Sequence, residues 1–233
     1  MTSSKELKGK QPKSAESYND LGNLLAQQGK TEEAIASYQT AIVLKPDFAI
    51  AHNNLGNLLT QRGEMEEAIA SYQTAIALEP DLVMAHSNLG NLLVYQGKME
   101  EAIASYQTAI ALKPNYHPAK FGLTIAQLPI IYTSEAEIAL RRGNYQSHLE
   151  NLADSYQTVS EQDLAEAGAA AGSVQPFLLP YQGLNDRELQ QTYGEMICRL
   201  MASLYPQWCQ PLPVPKLLAS QKIRVGIVSG LFH

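Results

Sequence analysis

A chain of 233 residues, 45% of them hydrophobic, has material for one large or two modest folded domains, and that apolar content argues against a disordered chain. Its formal charge of -6 works against non-specific nucleic-acid binding, and no Lys/Arg cluster offers a local exception. No apolar run approaches the roughly 20 residues needed to span a bilayer, and Cys198 and Cys209 have neither CxxC spacing nor a His partner, so they read as free thiols in a reducing cytoplasm.

Residues 1–14 (MTSSKELKGKQPKS) are polar, lack an apolar signal core, and read as a disordered lead-in. From Ala15 one pattern is written three times. NDLGNLL begins at Asn19, NNLGNLL at Asn53 and SNLGNLL at Ser87, a spacing of 34, and EEAIASYQTAI follows at Glu32, Glu66 and Glu100. Counting Ala15, Ala49 and Val83 as position 1, positions 4, 7, 8 and 11 form one stripe of a helix, and positions 20, 24 and 27 form the stripe of a second. Gly at position 8 and Ala at 20 and 27 remove bulk where the two helices cross, and Tyr at 24 fills the space between them. Gly29, Gly63 and Gly97 suit a positive-φ end to the first helix; Pro46, Pro80 and Pro114 end the second.

This is the pattern of the tetratricopeptide repeat, a helix-turn-helix unit whose open apolar face requires stacking. The expected fold is mainly α: a right-handed, three-repeat solenoid over residues 15–127. A truncated fourth first-helix, beginning at His117 and stopped by Pro129, should cap the third repeat. Residues 128–205 read as a helical connector. It comprises a helix capped by Ser134 and continuing past Gly143-Asn144, an Ala-rich helix from Glu161 to Ala171, an extended stretch from Gln175 to Tyr181, and a helix capped by Asn185 or Asp186. A Pro-rich linker fills residues 206–221, and residues 222–233 (KIRVGIVSGLFH) read as the first strand of a truncated α/β domain.

In this order the pieces resemble the SPINDLY-type family of O-linked N-acetylglucosamine transferases, particularly its bacterial members. The resemblance rests on the NNLGN repeats, on QPFLLPYQGLNDRELQ (Gln175 to Gln190) with YGEMICRLM (Tyr193 to Met201), and on KIRVGIVSG. It implies a two-lobed enzyme that moves a sugar from a UDP-sugar to Ser or Thr of acceptor proteins presented by the repeats. It also implies that the chemistry lies beyond this chain. The family's Phe-x-Asn-His motif would start at Phe232, which places His233 at its variable position, and the donor site belongs to a second lobe. The 233-residue chain is therefore expected to hold no cofactor and to be inactive alone, with a UDP-sugar donor expected for the longer protein.

Proteins or extended peptides are the expected partners, with self-association through the repeats beside them. Positions 2, 5, 6, 9 and 13 of the first helices are expected to lie opposite the packing stripe and to line the concave surface. The candidate peptide-binding residues are Asn19, Asn23, Asn53, Asn54, Asn57, Gln61, Asn88, Asn91 and Tyr95. Amides offer donors and acceptors together, so a row of them can hold a peptide backbone without demanding particular side chains. The resemblance agrees, since inner-surface asparagines of that family contact acceptor peptides. Duplication alone would equally produce near-identical surfaces in three near-copies. A free-standing adaptor that assembles protein complexes is the alternative function.

Other features have plainer readings. His52 and His86, at position 4 of successive repeats, read as packing residues, and His117 and His148 have no ligand partners in sequence. The Glu pairs at 32-33, 66-67 and 100-101 suit the positive N-termini of the second helices. Gly226 and Gly230 lack G-x-G-x-x-G spacing.

Overall fold

The computed structural model describes residues 14–171 and 179–208. Three antiparallel helix pairs come first: α1 (Ala15–Gln27) with α2 (Thr31–Leu44), α3 (Ala49–Arg62) with α4 (Met65–Leu78), and α5 (Val83–Tyr95) with α6 (Met99–Leu112). The short α7 (His117–Ile125) follows, then α8 (Glu135–Ser155), α9 (Glu161–Ala171) and α10 (Arg187–Leu204). Each pair packs on the next, so the fold is the expected solenoid.

The repeat geometry follows from its small residues. The alanines at positions 20 and 27 are fully buried in all three repeats, and Tyr38, Tyr72 and Tyr106 are buried between their helices. A Cβ placed on Gly22, Gly56 or Gly90 would stand 2.5, 2.7 or 2.8 Å from the ring of its own repeat's tyrosine, so only glycine lets the two helices close around that ring. At the pair turn, Gly29, Gly63 and Gly97 adopt φ of 72°, 82° and 74°, and the following amide reaches back to the carbonyls of Leu25, Leu59 and Leu93. Glu32-Glu33, Glu66-Glu67 and Glu100-Glu101 occupy the first turns of α2, α4 and α6, and each of these helices stops two residues before its proline.

α7 is the expected cap, and it changes the chemistry of the repeat frame. Positions 5, 6 and 9, which carry amides, serine or, at Asp20, a carboxylate in the repeats, are here Phe121, Gly122 and Ile125. Ala119 and Ala126 close the core of the third repeat, while Phe121 and Ile125 enter a second core. That core adds Leu128, Tyr145, Leu149, Leu152 and Tyr156 before and along α8, Ala167 and Ala171 of α9, Leu179, and Leu189, Met196 and Leu200 of α10. α7 is thus shared by solenoid and connector.

The connector helices match their expected residues closely. Ser134 Oγ accepts from the Glu137 amide and starts α8, which runs unbroken through Gly143-Asn144. Two details differ. Leu179–Gln182 is a turn of 3-10 helix, not extended chain; Pro180 fits at its start, where its missing donor is not required. Asp186 precedes α10 but does not cap it with its side chain, because its carboxylate is taken by Arg142 at 2.7 Å; Asn185 Oδ1 accepts from the Arg187 amide instead. Within 206–221, Pro206–Trp208 forms a short 3-10 turn. The expected tail, apart from Ser14, the remainder of the Pro-rich linker, the stretch from 172 to 178 and the strand in 222–233 lie outside the described residues.

Two adjacent arginines fasten the parts together. Arg141 bridges back to Glu100 at the start of α6 and to Glu137, tying α8 to the third repeat. Arg142 points the other way. It donates to Gln182 Oε1 (2.9 Å), Asp186 Oδ1 (2.7 Å) and the Asn185 carbonyl (2.5 Å), and Gln182 in turn donates to the Tyr132 hydroxyl. The QGLND segment is thereby pinned to α8.

Candidate functional site

The first helices of the repeats, α1, α3 and α5, carry the candidate amides, and the structure divides these by position. Position 5 is buried: Asn19 is 6% exposed, Asn53 2% and Ser87 1%. This corrects the expectation that Asn19 and Asn53 lie opposite the packing stripe. A first helix in a stack touches its own partner helix and also the first helices before and after it, so its free face is narrower than a single stripe implies. Position 6 spans the joint between repeats. Asn54 Nδ2 lies 3.0 Å from Asn19 Oδ1 and 3.2 Å from Asn23 Oδ1, and Asn88 Nδ2 lies 3.0 Å from Asn53 Oδ1. Asn53 Nδ2 donates to Asn54 Oδ1 at 3.3 Å, so Asn19, Asn54, Asn53 and Asn88 form a continuous relay along the stack. The relay stops at the third repeat, where Gly122 of α7 has no amide to offer and the Ser87 hydroxyl is buried without a partner.

Position 9 is the oriented position. The hydroxyls of Tyr38, Tyr72 and Tyr106 donate to Oδ1 of Asn23, Asn57 and Asn91 at 2.8, 2.8 and 2.7 Å. Burial raises the pKa of all three tyrosines, which holds them as protonated donors. With Oδ1 fixed, each amide is locked in one orientation, and among the described residues the Nδ2 groups of these three asparagines donate to nothing. This pairing was missed in the sequence, although Asn at 9 and Tyr at 24 recur together, 15 residues apart, in all three repeats.

Asn23, Ala26, Gln27 and Tyr38 of the first repeat and Asn54, Asn57, Leu58 and Gln61 of the second line an open hollow of about 330 Å³. Further along, Tyr95 at position 13 of α5 is 74% exposed. The structure therefore brings Asn23, Asn54, Asn57 and Gln61 together around one hollow and sets Asn19 and Asn53 beneath it.

The position-4 histidines do what packing residues do. His52 Nε2 and His86 Nε2 lie 3.1 and 2.9 Å from the carbonyls of Pro46 and Pro80, so each repeat's first helix is tied to the turn entering it. Cys198 is an exposed free thiol.

A family model described as TPR repeat matches residues 22–59 and 56–95, and one described as Tetratricopeptide repeat matches residues 83–116. Residues 22–116 carry tetratricopeptide repeats. No curated protein matches the chain's sequence. Among solved structures, the repeats are similar to the first TPR of Spaghetti (RPAP3) bound to an HSP90 peptide, with 26% identity over 48% of this chain and 90% of that one, at a TM-score of 0.47. They are similar to the second TPR domain of human RPAP3 in complex with an HSP70 peptide, with 27% identity, 48% and 94% coverage, and a TM-score of 0.46. A mutant O-GlcNAc transferase of Thermobaculum terrenum is similar over 58% of this chain and 26% of its own, with 24% identity and a TM-score of 0.48. Among the described residues no helix is long and apolar enough to cross a membrane.

Proposed function

We propose that the tetratricopeptide repeats hold an extended polypeptide by its backbone in the hollow above α1 and α3, continuing toward α5. One observation carries this reading: the position-9 amides are oriented by buried tyrosines yet leave their Nδ2 donors uncommitted where Asn23 and Asn57 line the hollow. A fixed donor row suits peptide carbonyls, which recur regardless of sequence, and fixing it in advance lowers the entropy cost of binding. Gln61 adds a further exposed amide, and Tyr95 adds an exposed aromatic face against which a side chain can lie. Asn19 and Asn53 act beneath the surface as acceptors that hold Asn54 and Asn88 in place.

The finer reading rests on the sequence resemblance. The bound polypeptide is an acceptor protein, and the repeats with their connector serve a protein O-glycosyltransferase that takes its sugar from a UDP-sugar. On that reading the catalytic residues and the donor site belong to residues after the connector.

The test of the first reading is fluorescence anisotropy of a panel of labelled extended peptides with the wild-type chain and with Asn57→Ala/Asn91→Ala. Two lost hydrogen bonds to a peptide at about 0.5–1.5 kcal/mol each correspond to weakening by roughly 5- to 150-fold. Equal affinity of the variant would remove the amide row from the binding site. The finer reading is tested in the protein extended beyond His233, by sugar transfer from a UDP-sugar to the bound acceptor. Peptide binding without any use of a UDP-sugar would favour the adaptor function.

A further inference from the structure

The seam between α7 and α9 gathers three groups whose chemistry neither the repeats nor the connector core uses. A ring nitrogen of His117 and one carboxylate oxygen each of Asp163 and Glu166 lie within 4.8 Å of one another. His117 is only 5% exposed. Its Nδ1 lies 3.0 Å from the Tyr156 hydroxyl, whereas its Nε2 is buried without any partner. We propose that His117 Nε2, Asp163 and Glu166 hold a zinc ion that joins the solenoid cap to the connector.

The donor set suits the ion. One imidazole nitrogen and two carboxylate oxygens are zinc ligands, with a fourth position left for water. In the tautomer this proposal takes, Nδ1–H donates to the Tyr156 hydroxyl and the lone pair falls on Nε2; an outer hydrogen bond of this kind fixes a metal-binding histidine. Without a cation, the buried Nε2 is left without a partner and two carboxylates beside the ring repel each other.

The carboxylates can reach. Ligand atoms around tetrahedral zinc stand about 3.4 Å apart, so the group must tighten by up to about 1.4 Å. Asp163 and Glu166 lie one turn apart on α9, half-buried and exposed respectively, and side-chain rotation supplies that movement. Each is held to a local partner, Asp163 Oδ2 by Ser160 and Glu166 Oε1 by Gln162, which leaves one oxygen of each for the metal.

The experiment is calorimetric titration of the chelator-stripped chain with zinc chloride, beside thermal unfolding with and without zinc. The wild type should bind one zinc ion saturably and unfold at a higher temperature with it. Asp163→Asn/Glu166→Gln, which changes groups outside the core, should keep the same helical circular dichroism and lose both effects. Tyr156→Phe should weaken binding by about tenfold. A wild-type chain that binds no zinc, or a double variant that binds it as tightly as wild type, overturns the site.

Discussion

Alanine replacements at Gly122 and Gly143 should move stability in opposite directions, although both glycines lie in helices. In α8 a Cβ at Gly143 would meet nothing within 4 Å, so Gly143→Ala should stabilise by about 0.5–1 kcal/mol through helix propensity alone. In α7 a Cβ at Gly122 would stand 2.4 Å from Tyr106 Cε1 and 2.9 Å from its hydroxyl oxygen. The ring has nowhere to retreat, because Gly90 approaches it from α5 with a Cβ site 2.8 Å away and Tyr106 is fully buried. Overpacking at the upper end of its usual range, about 3 kcal/mol, then outweighs about 1 kcal/mol of propensity, for a net loss of about 2 kcal/mol. Urea unfolding of the two variants, followed by circular dichroism, measures the difference. A neutral or stabilised Gly122→Ala would refute the view that α7 and α5 are held at the distance set by that tyrosine.

Arg142→Met should destabilise the connector by about 2–3 kcal/mol, below the full cost of breaking a buried ion pair, because the Arg142 and Asp186 side chains are each 15% exposed. Adding Asp186→Asn should then cost little more, and strict additivity in a double-mutant cycle would deny the coupling. Acidification gives a third check. Burial lowers the pKa of His148 from its ordinary 6.5, so the unfolded chain binds the proton first. Stability from the neutral ring is complete above about 6.5 and falls as pH drops through that value toward the folded pKa. The loss in urea midpoint between about pH 7.5 and about pH 5.5 should be smaller in His148→Gln; an identical loss would show that other groups govern it.

Packing within a repeat was legible in the sequence because three near-copies repeat the same Gly, Ala and Tyr at one spacing. Contacts between repeats were less so. Helical periodicity gives a residue's angle around its axis but not which neighbour fills each sector, so Asn19 and Asn53 read as surface residues and are buried. The orienting hydroxyl of Tyr72 on Asn57 was hidden for a related reason, since the same tyrosine already explains itself as a packing residue. The seam of His117 with Asp163 and Glu166, and the grip of Arg142 on Asn185 and Asp186, join residues more than 40 positions apart. No local spacing encodes them.

The replacement of amides by Phe121 and Ile125 in α7 makes the junction indifferent to how many units precede it. The connector meets the last unit and this one helix, with Glu100 as the ionic anchor, while Asn53 and Asn88 mate with any unit built on the same register. Duplicating or deleting a unit upstream of Val83 would lengthen or shorten the trough and leave the connector's seating intact, so reach toward a partner could change by whole units.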